Sequence, residues 1–266
     1  MNYCIVLLFL ILGLVFGSFL SVLVSRIEIG ESFLFSRSRC PKCKKQIKNY
    51  DLIPFLSYFI LRGKCRNCKE KISFSYPLIE AITSLVFVLF YWRFNYLFSD
   101  FNGYLFFGIY LSSILSLIVI LFYDAIHYII PDKITYPSIF VLLILSLINI
   151  FSGLNFFIYN PELSNLLYGA LLGGGFFLFM VLISKEKWMG WGDVKLGFLL
   201  GILLGFPLIL LSLFISFFSG SIYGIILIVI NKKKMMDKIP FGPFLVFGAI
   251  ISLFFGKYIL DFYLNI

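Results

Sequence analysis

Long runs of apolar residues constrain this chain more than any other feature of its sequence. A helix that spans a membrane needs roughly 20 mostly apolar residues, and runs of that length recur throughout the chain. They occupy residues 3–24, 76–98, 103–122, 134–151, 163–183 and 241–262. A soluble core inside a polar shell is excluded, because 61% of the residues are hydrophobic and only 13% are charged.

One further apolar run, residues 194–230, is too long for a single span. Pro207 lies inside it, and proline breaks or kinks a helix. We therefore predict a short helix that ends at about Gly205 and a full-length helix that starts at Pro207. The expected fold is an all-α polytopic membrane protein with about eight transmembrane helices. The first run is expected to be a retained span, since no basic residue precedes it and no small-residue cleavage site followed by a soluble domain is present.

The lysines and arginines predict the orientation, because short loops rich in them stay in the cytoplasm. With eight spans, one face receives every basic residue except Arg93 and Lys257. Both termini are then outside, and the long loop is inside. We expect a first transmembrane helix at 1–25, a cytoplasmic loop domain at 26–75 and a core of about seven helices at 76–266.

The net charge of +9 then reflects topology and attraction to membrane lipid. Nucleic acid is not an expected partner, because no soluble stretch combines aromatic platforms with a basic groove.

Four cysteines in that loop form two Cys-x-x-Cys hooks. The first hook is Cys40 with Cys43, and the second is Cys65 with Cys68. Their separation is close to that of four-thiolate zinc sites. A redox pair and unrelated thiols are the alternatives, but a reducing cytoplasm disfavours disulfides. Four protein ligands leave no open position for water, so we expect a structural zinc ion.

Two aspartates, Asp124 and Asp193, stand at the ends of apolar runs on the same predicted face. Two carboxyls that lie close together cannot both ionise, so one can act as a base on water while the other polarises a carbonyl. Gly190 and Gly192 would let the backbone turn tightly and let a substrate approach. In the alternative reading, Asp193 only caps a helix and Asp124 ends a helix in water. Spacing alone leaves both readings open.

For each of three other polar residues, the sequence allows two interpretations of its role. Glu80, one turn into the second span, faces a cavity or a partner such as Arg26 or a substrate amine, or it reaches the membrane interface. Lys195 pairs with Asp193 or contacts lipid headgroups. His127 either tunes the aspartate pair or is an ordinary loop residue.

An ordered series of short motifs runs the length of the chain. It comprises Gly17-Ser18-Phe19 with Arg26, the segment 52–58 between the hooks, Tyr76-Pro77-Leu78-Ile79-Glu80, Asp124 with Ile130-Pro131-Asp132, Gly190-Trp191-Gly192-Asp193 with Lys195, and the segment 239–244. In this order the motifs resemble the type IV prepilin peptidases. That family comprises membrane-embedded Gly-x-Gly-Asp aspartic proteases that are both leader peptidases and N-methyltransferases.

The resemblance implies cleavage of type IV prepilin or pseudopilin precursors at the cytoplasmic face of the bacterial plasma membrane. The cut follows a glycine that precedes the hydrophobic helix, and the new N-terminus is then methylated with S-adenosylmethionine. By position, catalysis falls to Asp124 and Asp193, with loop support from Gly190, Gly192 and Lys195. Asp132 is the rival for the first position, although it suits the cap of the next helix.

The residues that bind S-adenosylmethionine are not identified by any motif. No glycine-rich loop joins a strand to a helix, and Gly173-Gly174-Gly175 is typical of close packing between membrane helices. A peptidase without methyl transfer and a non-enzymatic membrane adaptor with a zinc loop are therefore the alternative functions. The sequence predicts neither the oligomeric state nor which pilin-like precursors are cleaved.

Overall fold

The computed structural model describes residues 3–27, 38–95, 101–152, 162–234 and 237–264. Its helices are α1 (Tyr3–Ile27), α2 (Leu56–Ile60), α3 (Ser75–Phe94), α4 (Phe101–His127), α5 (Asp132–Ser152), α6 (Leu163–Ala170), α7 (Phe176–Ser184), α8 (Trp191–Leu204), α9 (Leu208–Val229) and α10 (Gly242–Leu264). A 3-10 turn covers Asn49–Leu52, and a π-helical segment, Leu171–Gly175, joins α6 to α7. Those ranges contain no β-strand, only two isolated bridges in the cysteine loop.

Seven helices within these ranges are long and apolar enough to cross a bilayer: α1, α3, α4, α5, the continuous α6–α7 helix, α9 and α10. The remaining predicted span corresponds to α8, which has only 14 residues. At 1.5 Å per residue it is about 21 Å long, which is short of the roughly 30 Å hydrocarbon core. The all-α polytopic fold is confirmed. The end of the second predicted span, at Phe98, lies outside the described residues.

The predicted break before Pro207 is also confirmed. Helix α8 ends at Leu204, and Gly205 follows with φ 66°. Its N–H donates to the carbonyl of Gly201 at 3.0 Å, and only glycine adopts this positive φ without strain. Helix α9 then begins at Leu208, so one apolar run folds as a short helix and a long one.

The chain forms two compact units, Met1–Asn95 and Tyr96–Ile266. In the first unit α1 packs along α3. A Cβ on Gly17 would lie 2.6 Å from the Cα of Glu80, so the two backbones touch at the level of Glu80. Small residues permit such close approach of membrane helices. The division of the chain at residues 25 and 75 into functional domains stays a prediction.

In the second unit α8 packs against α5, α6, α7, α9 and α10. Its middle is enclosed, since Leu196, Leu199 and Leu200 are buried. Gly173 of the π-helical segment touches the backbone of Gly197 on α8, as expected for a close-packing patch. A helix covered by its neighbours on all sides need not span the bilayer by itself. Helix α8 therefore holds its first turn, which carries Asp193, at a fixed place in the unit.

Candidate active site

Asp124 lies in the last turn of α4 and is 5% exposed. Its Oδ2 accepts a hydrogen bond from the N–H of Gly242 at 2.9 Å. Gly242 is the first residue of α10, and a Cβ at this position would lie 2.5 Å from the same oxygen. The N–H can reach the carboxylate only because position 242 has no side chain. The role of Gly242 was not predicted, although the segment 239–244 was one of the motifs behind the resemblance.

Asp193 lies in the first turn of α8, three residues after the N-cap residue Gly190. Its Oδ2 accepts the N–H of Gly190 at 3.1 Å. This is the way in which an acidic third residue stabilises a helix start. Asp193 is therefore not itself the N-cap, but one of its oxygens performs a capping function. The same bond fixes the direction of the carboxylate.

The two aspartates meet in the second unit. Their carboxylates lie close enough for their charges to interact. Each has one oxygen held by a backbone N–H from a different segment, Gly242 for Asp124 and Gly190 for Asp193. The pair is thus oriented by the fold and has the composition of an acid–base dyad.

The glycines on either side of Trp191 have a structural role that differs from the one predicted from the sequence. Gly190 is extended, with φ −95° and ψ 164°, and Gly192 lies within α8, so neither has a positive φ. A Cβ on Gly192 would lie 3.1 Å from the Cβ of Ile130. Gly192 therefore lets the start of α8 pack on the segment that follows α4, and neither glycine makes a tight turn.

Asp132, the rival of Asp124, has another partner. It is the first residue of α5, and its Oδ1 pairs with the Nζ of Lys195 at 2.7 Å. The ammonium group of Lys195 also lies 4.9 Å from the centre of the Tyr136 ring. The side chain of Asp132 is 57% exposed, whereas Asp124 is buried. Asp132 was not among the partners expected for Lys195 from the sequence, and this pair joins α5 to α8.

His127 packs on an aromatic neighbour in its own helix. Its ring centre lies 4.6 Å from that of Tyr123. One residue later Tyr128 takes φ 60° and donates its N–H to the carbonyl of Asp124 at 2.8 Å. This left-handed residue ends α4. The backbone around Asp124 is therefore fixed by the helix terminus as well as by the contact with Gly242.

The two cysteine hooks have the same backbone geometry. In each, the N–H of the first cysteine bonds to the carbonyl five residues later, and its carbonyl accepts the N–H four residues later. The residues that supply these N–H groups, Lys44 and Lys69, have φ 55° and 61°. An ion pair of 2.6 Å between Lys42 and Glu70 connects the two hooks. The loop therefore contains two equivalent knuckles that face one another.

The four sulfurs form one cluster. All Sγ atoms of Cys40, Cys43, Cys65 and Cys68 lie within 4.8 Å of one another, and those of Cys40 and Cys68 are 3.8 Å apart. Four thiolates at about 2.3 Å from a tetrahedral zinc ion are separated by about 3.8 Å. The cluster thus fits a metal ion with four protein ligands.

The thiols themselves favour a cation. Backbone N–H groups of Cys68 and Asn67 lower the pKa of the Cys65 thiol to about 7. At Cys68 the N–H of Glu70 favours the thiolate, but burial and the other three thiols outweigh it and raise the pKa to about 11. The crowded sulfurs therefore cannot all become thiolates by themselves. A divalent cation removes this conflict.

Glu80 has a backbone partner that was not expected. It is 8% exposed in the second turn of α3, and its Oε2 accepts the N–H of Phe55 at 2.7 Å. Phe55 lies between the two hooks and has φ 63° and ψ −54°, a conformation that bulky residues rarely adopt. The cysteine loop thus supplies a hydrogen bond to a buried carboxylate. Hydropathy and spacing contain no signal for this contact.

The fold and this site define a class, the polytopic α-helical membrane proteins with two carboxylates brought together at helix ends. Known protein families match both units. The bacterial peptidase A24 N-terminal domain matches residues 11–94, and the type IV leader peptidase family matches residues 111–225. The first match includes Glu80 and all four hook cysteines, and the second includes Asp124 and Asp193. No solved structure is significantly similar to the chain.

Several bacterial proteins named "Prepilin leader peptidase/N-methyltransferase" are similar over nearly the whole chain. The protein from Stutzerimonas stutzeri is 30% identical over 96% of this chain and 92% of its own length. That from Bacillus subtilis is 30% identical over 96% of both chains. That from Legionella pneumophila is 31% identical over 90% of this chain and 79% of its own length. The chain belongs to the type IV leader peptidase family.

Proposed function

We propose that this chain is a membrane-embedded aspartic endopeptidase that removes the leader peptide of type IV prepilin-like precursors and then methylates the new N-terminus. Its family and the names of its relatives make it a leader peptidase with N-methyltransferase activity. The observation that supports the aspartic mechanism is that Asp124 and Asp193 are close enough to interact, with each carboxylate oriented by a backbone N–H.

Hydrolysis by this pair needs one shared proton. The ionised carboxylate takes a proton from a water molecule, whose oxygen attacks the carbonyl carbon of the scissile peptide. The protonated carboxylate gives its proton to the carbonyl oxygen. Collapse of the tetrahedral intermediate breaks the C–N bond, and the leaving nitrogen receives a proton from the pair. Titration then belongs to the two residues together.

The hydrogen bonds of the two aspartates support this assignment. Because Gly242 and Gly190 hold one oxygen of each carboxylate, both groups are oriented before a substrate arrives. Pre-organised groups avoid the cost of reorientation during the reaction. Asp132 lacks this arrangement, since its carboxylate is exposed and paired with Lys195.

The cleavage site is proposed to lie at the cytoplasmic face of the bacterial plasma membrane, after a glycine that precedes the hydrophobic helix of the precursor. The distribution of lysines and arginines supports the orientation. The position of Asp124 at the end of a spanning helix supports a cut at the membrane boundary. Reporter fusions after residues 48 and 234 test the orientation, and an extracytoplasmic signal from either fusion contradicts it.

The metal is proposed to be zinc. Four thiolates at tetrahedral spacing suit Zn²⁺, and no ligand position stays open for a substrate. Its role is then to hold the loop that contains Phe55. S-adenosylmethionine is proposed as the methyl donor, in keeping with the names of the relatives.

The test uses purified enzyme in detergent and a synthetic precursor that contains a leader, the glycine and the start of the hydrophobic helix. We expect Asp124→Asn and Asp193→Asn each to lower the cleavage rate by about 10³-fold or more, because each removes a proton acceptor. Asp132→Asn is the matched control. It removes a carboxylate next to the same site and is expected to keep cleavage.

Three results contradict the proposal. Cleavage at the wild-type rate by Asp124→Asn or Asp193→Asn rules out the dyad. Loss of cleavage in Asp132→Asn with retention in Asp124→Asn assigns the first position to Asp132. If wild-type enzyme leaves the precursor intact while a partner protein binds the cysteine loop, the adaptor function is correct instead.

A further inference from the structure

The cysteine loop exposes a cluster of apolar side chains in and near α2. Leu56, Phe59, Ile60 and Phe74 are each between 55% and 70% exposed. These four residues are not part of the lining of a cavity of about 420 Å³ that the loop, α1 and α3 form beside Glu80. Soluble domains rarely expose a contiguous apolar patch, and such a patch usually marks a surface that contacts a protein or a membrane.

The polarity of α2 is the inverse of that expected for a helix in water. Its polar residue Ser57 is buried, and the hydroxyl donates to the carbonyl of Tyr50 at 3.2 Å. Leu56, Phe59 and Ile60 are exposed, and their spacing places them on one face of the helix. A helix in a soluble domain buries its apolar face, whereas a helix at a membrane interface turns that face towards lipid.

Two contacts place α2 beside the start of α3. Phe55, which precedes α2, donates its N–H to Glu80 at 2.7 Å. Glu80 is the sixth residue of α3, about 7.5 Å from the start of that helix at 1.5 Å per residue. The ring of Tyr58 in α2 lies 6.0 Å from the ring of Phe74, which directly precedes α3. Because α3 is long and apolar enough to cross a bilayer, the exposed cluster lies next to the first turns of a spanning helix.

The loop around this cluster is strongly basic. Residues 38–74 contain ten lysines and arginines but only two acidic residues, and both acidic residues form ion pairs within the loop. Lys64 and Lys71 face one another in an antiparallel bridge between α2 and α3, and both are exposed. Cations beside an apolar face are typical of segments that lie on an anionic membrane surface.

We propose that α2 and Phe74 dock into the interfacial layer of the bilayer, where Lys64 and Lys71 contact the headgroups of anionic phospholipids. Lipid is the partner because the apolar cluster is continuous with a spanning helix and because the charge of the loop is complementary to an anionic surface. The cysteine cluster then organises a loop that lies on the membrane. The inference goes beyond the proposed function and does not depend on the aspartic mechanism.

The depth of the cluster is measured on the full-length protein in lipid nanodiscs, with Phe59→Trp as a fluorescent probe. The emission of the wild type is subtracted, because the chain has three tryptophans of its own. The discs contain phosphatidylcholine with about 30% phosphatidylglycerol, an anionic lipid. A helix at the interface inserts its apolar face by about 5–10 Å, so lipids brominated in the upper acyl chain should quench about half or more of the emission of the probe.

The matched control is Lys42→Trp. The side chain of Lys42 is 65% exposed, similar to that of Phe59, but it belongs to the first cysteine hook and not to the apolar cluster. A tryptophan at this position is expected to stay in water, and the brominated lipids should quench it little.

The headgroup contact is tested by adding Lys64→Gln and Lys71→Gln together to the protein that carries the probe. Each lysine near an anionic surface strengthens the association by about fivefold. Loss of both should therefore lower the quenching to the level found in discs of phosphatidylcholine alone. Lys44→Gln with Lys69→Gln removes the same charge from the two hooks and is expected to keep most of the quenching. Salt at about 1 M shortens the Debye length to about 3 Å and should weaken the quenching in anionic discs.

Because Phe59→Trp could perturb the loop, a phospholipid with a photoreactive group in its acyl chain is also cross-linked to the wild-type protein. Labelled peptides are expected to include residues 55–62. Label in α1 and α3 without label in this segment overturns the inference.

Two results with the fluorescent probe also overturn it. An unquenched probe with blue-shifted emission means that protein covers the cluster, either the second unit or another molecule. An unquenched probe with the emission of tryptophan in water means that the loop stands free of the membrane. Equal quenching in anionic and neutral discs, unchanged by the loss of Lys64 and Lys71, contradicts the contact with anionic headgroups.

Discussion

The two units each contain a buried carboxylate that is held by a backbone N–H, but the carboxylates have different companions. Asp124 accepts the N–H of Gly242, and Glu80 accepts the N–H of Phe55. The neighbour of Asp124 is a second carboxylate, Asp193, whereas the cavity beside Glu80 is lined by six lysine and arginine residues. Two neighbouring carboxylates can share a proton and activate water, whereas the buried carboxylate of Glu80 is held singly at the wall of a cavity.

The two N–H donors also differ in what holds them. Gly242 starts a long helix that packs on α4, so its position depends on the packing of the second unit. Phe55 lies in the cysteine loop, between two hooks whose four sulfurs converge. The difference indicates that the first carboxylate is supported by helix packing and the second by the loop that the cysteine cluster organises. Each support can therefore be removed without the other.

Removal of the metal is expected to have the largest effect. Structural zinc in small domains contributes about 10–16 kcal/mol to folding, so Cys40→Ser should lose the metal and unfold the loop, which is rich in lysine and arginine. Elemental analysis should show about one zinc per chain in the wild type. Limited trypsin digestion should cut the variant between residues 38 and 74.

Cys4→Ser is the control for this experiment, because Cys4 lies in α1 and is not part of the cluster. It should keep the metal and the protease resistance. Wild-type enzyme that is active without metal, or a Cys40→Ser loop that resists trypsin as well as the wild type, argues against a structural metal.

A methyl group at position 242 should disturb the hydrogen bond that orients Asp124 and leave the carboxylate of Glu80 unaffected. In Gly242→Ala the new Cβ would lie 2.5 Å from Oδ2 of Asp124, so the carboxylate or α10 must move. A displacement of about 1 Å at a catalytic group can lower the rate by about 10²-fold. We expect a decrease of this size in precursor cleavage.

Gly108→Ala in α4 is the matched control, because a Cβ there meets nothing within 4 Å. It should cleave normally and be slightly more stable, since alanine favours a helix by up to about 1 kcal/mol over glycine. Wild-type cleavage by Gly242→Ala would show that the Gly242 contact does not orient Asp124.

The smallest effect is expected from Lys195→Gln. The ion pair of Lys195 with Asp132 is partly exposed, and pairs of this kind contribute about 1 kcal/mol or less. The thermal stability of the purified protein should therefore change little, and the cleavage rate should stay within about fivefold of the wild type. A loss as large as that of Asp193→Asn would mean that Lys195 acts on the substrate.

Much of the fold was predictable, because each helix that spans a bilayer needs roughly 20 mostly apolar residues. The length of the apolar runs indicated the spans, and the proline at 207 indicated the break that Gly205 completes. The convergence of the four cysteines followed from their spacing alone. These features are local, so hydropathy and spacing contain the information.

The contacts that orient the carboxylates were not predictable in the same way. Gly242 and Asp124 are far apart in sequence, and nothing in either segment identifies the other as its partner. Phe55 gives its N–H to Glu80 from a backbone conformation that its residue type disfavours. The pairing of Lys195 with Asp132 depends on how α5 packs on α8. Long-range packing determines all three contacts.

The most direct measurement is the mass of a synthetic precursor after incubation with S-adenosylmethionine and with the wild type, Asp124→Asn or Asp193→Asn. The wild type should give a product that lacks the leader and carries an added methyl group. Each aspartate variant should leave the precursor at full length, because one carboxylate alone cannot both activate water and protonate the carbonyl oxygen. A shortened product that either variant forms at the wild-type rate contradicts the carboxylate pair.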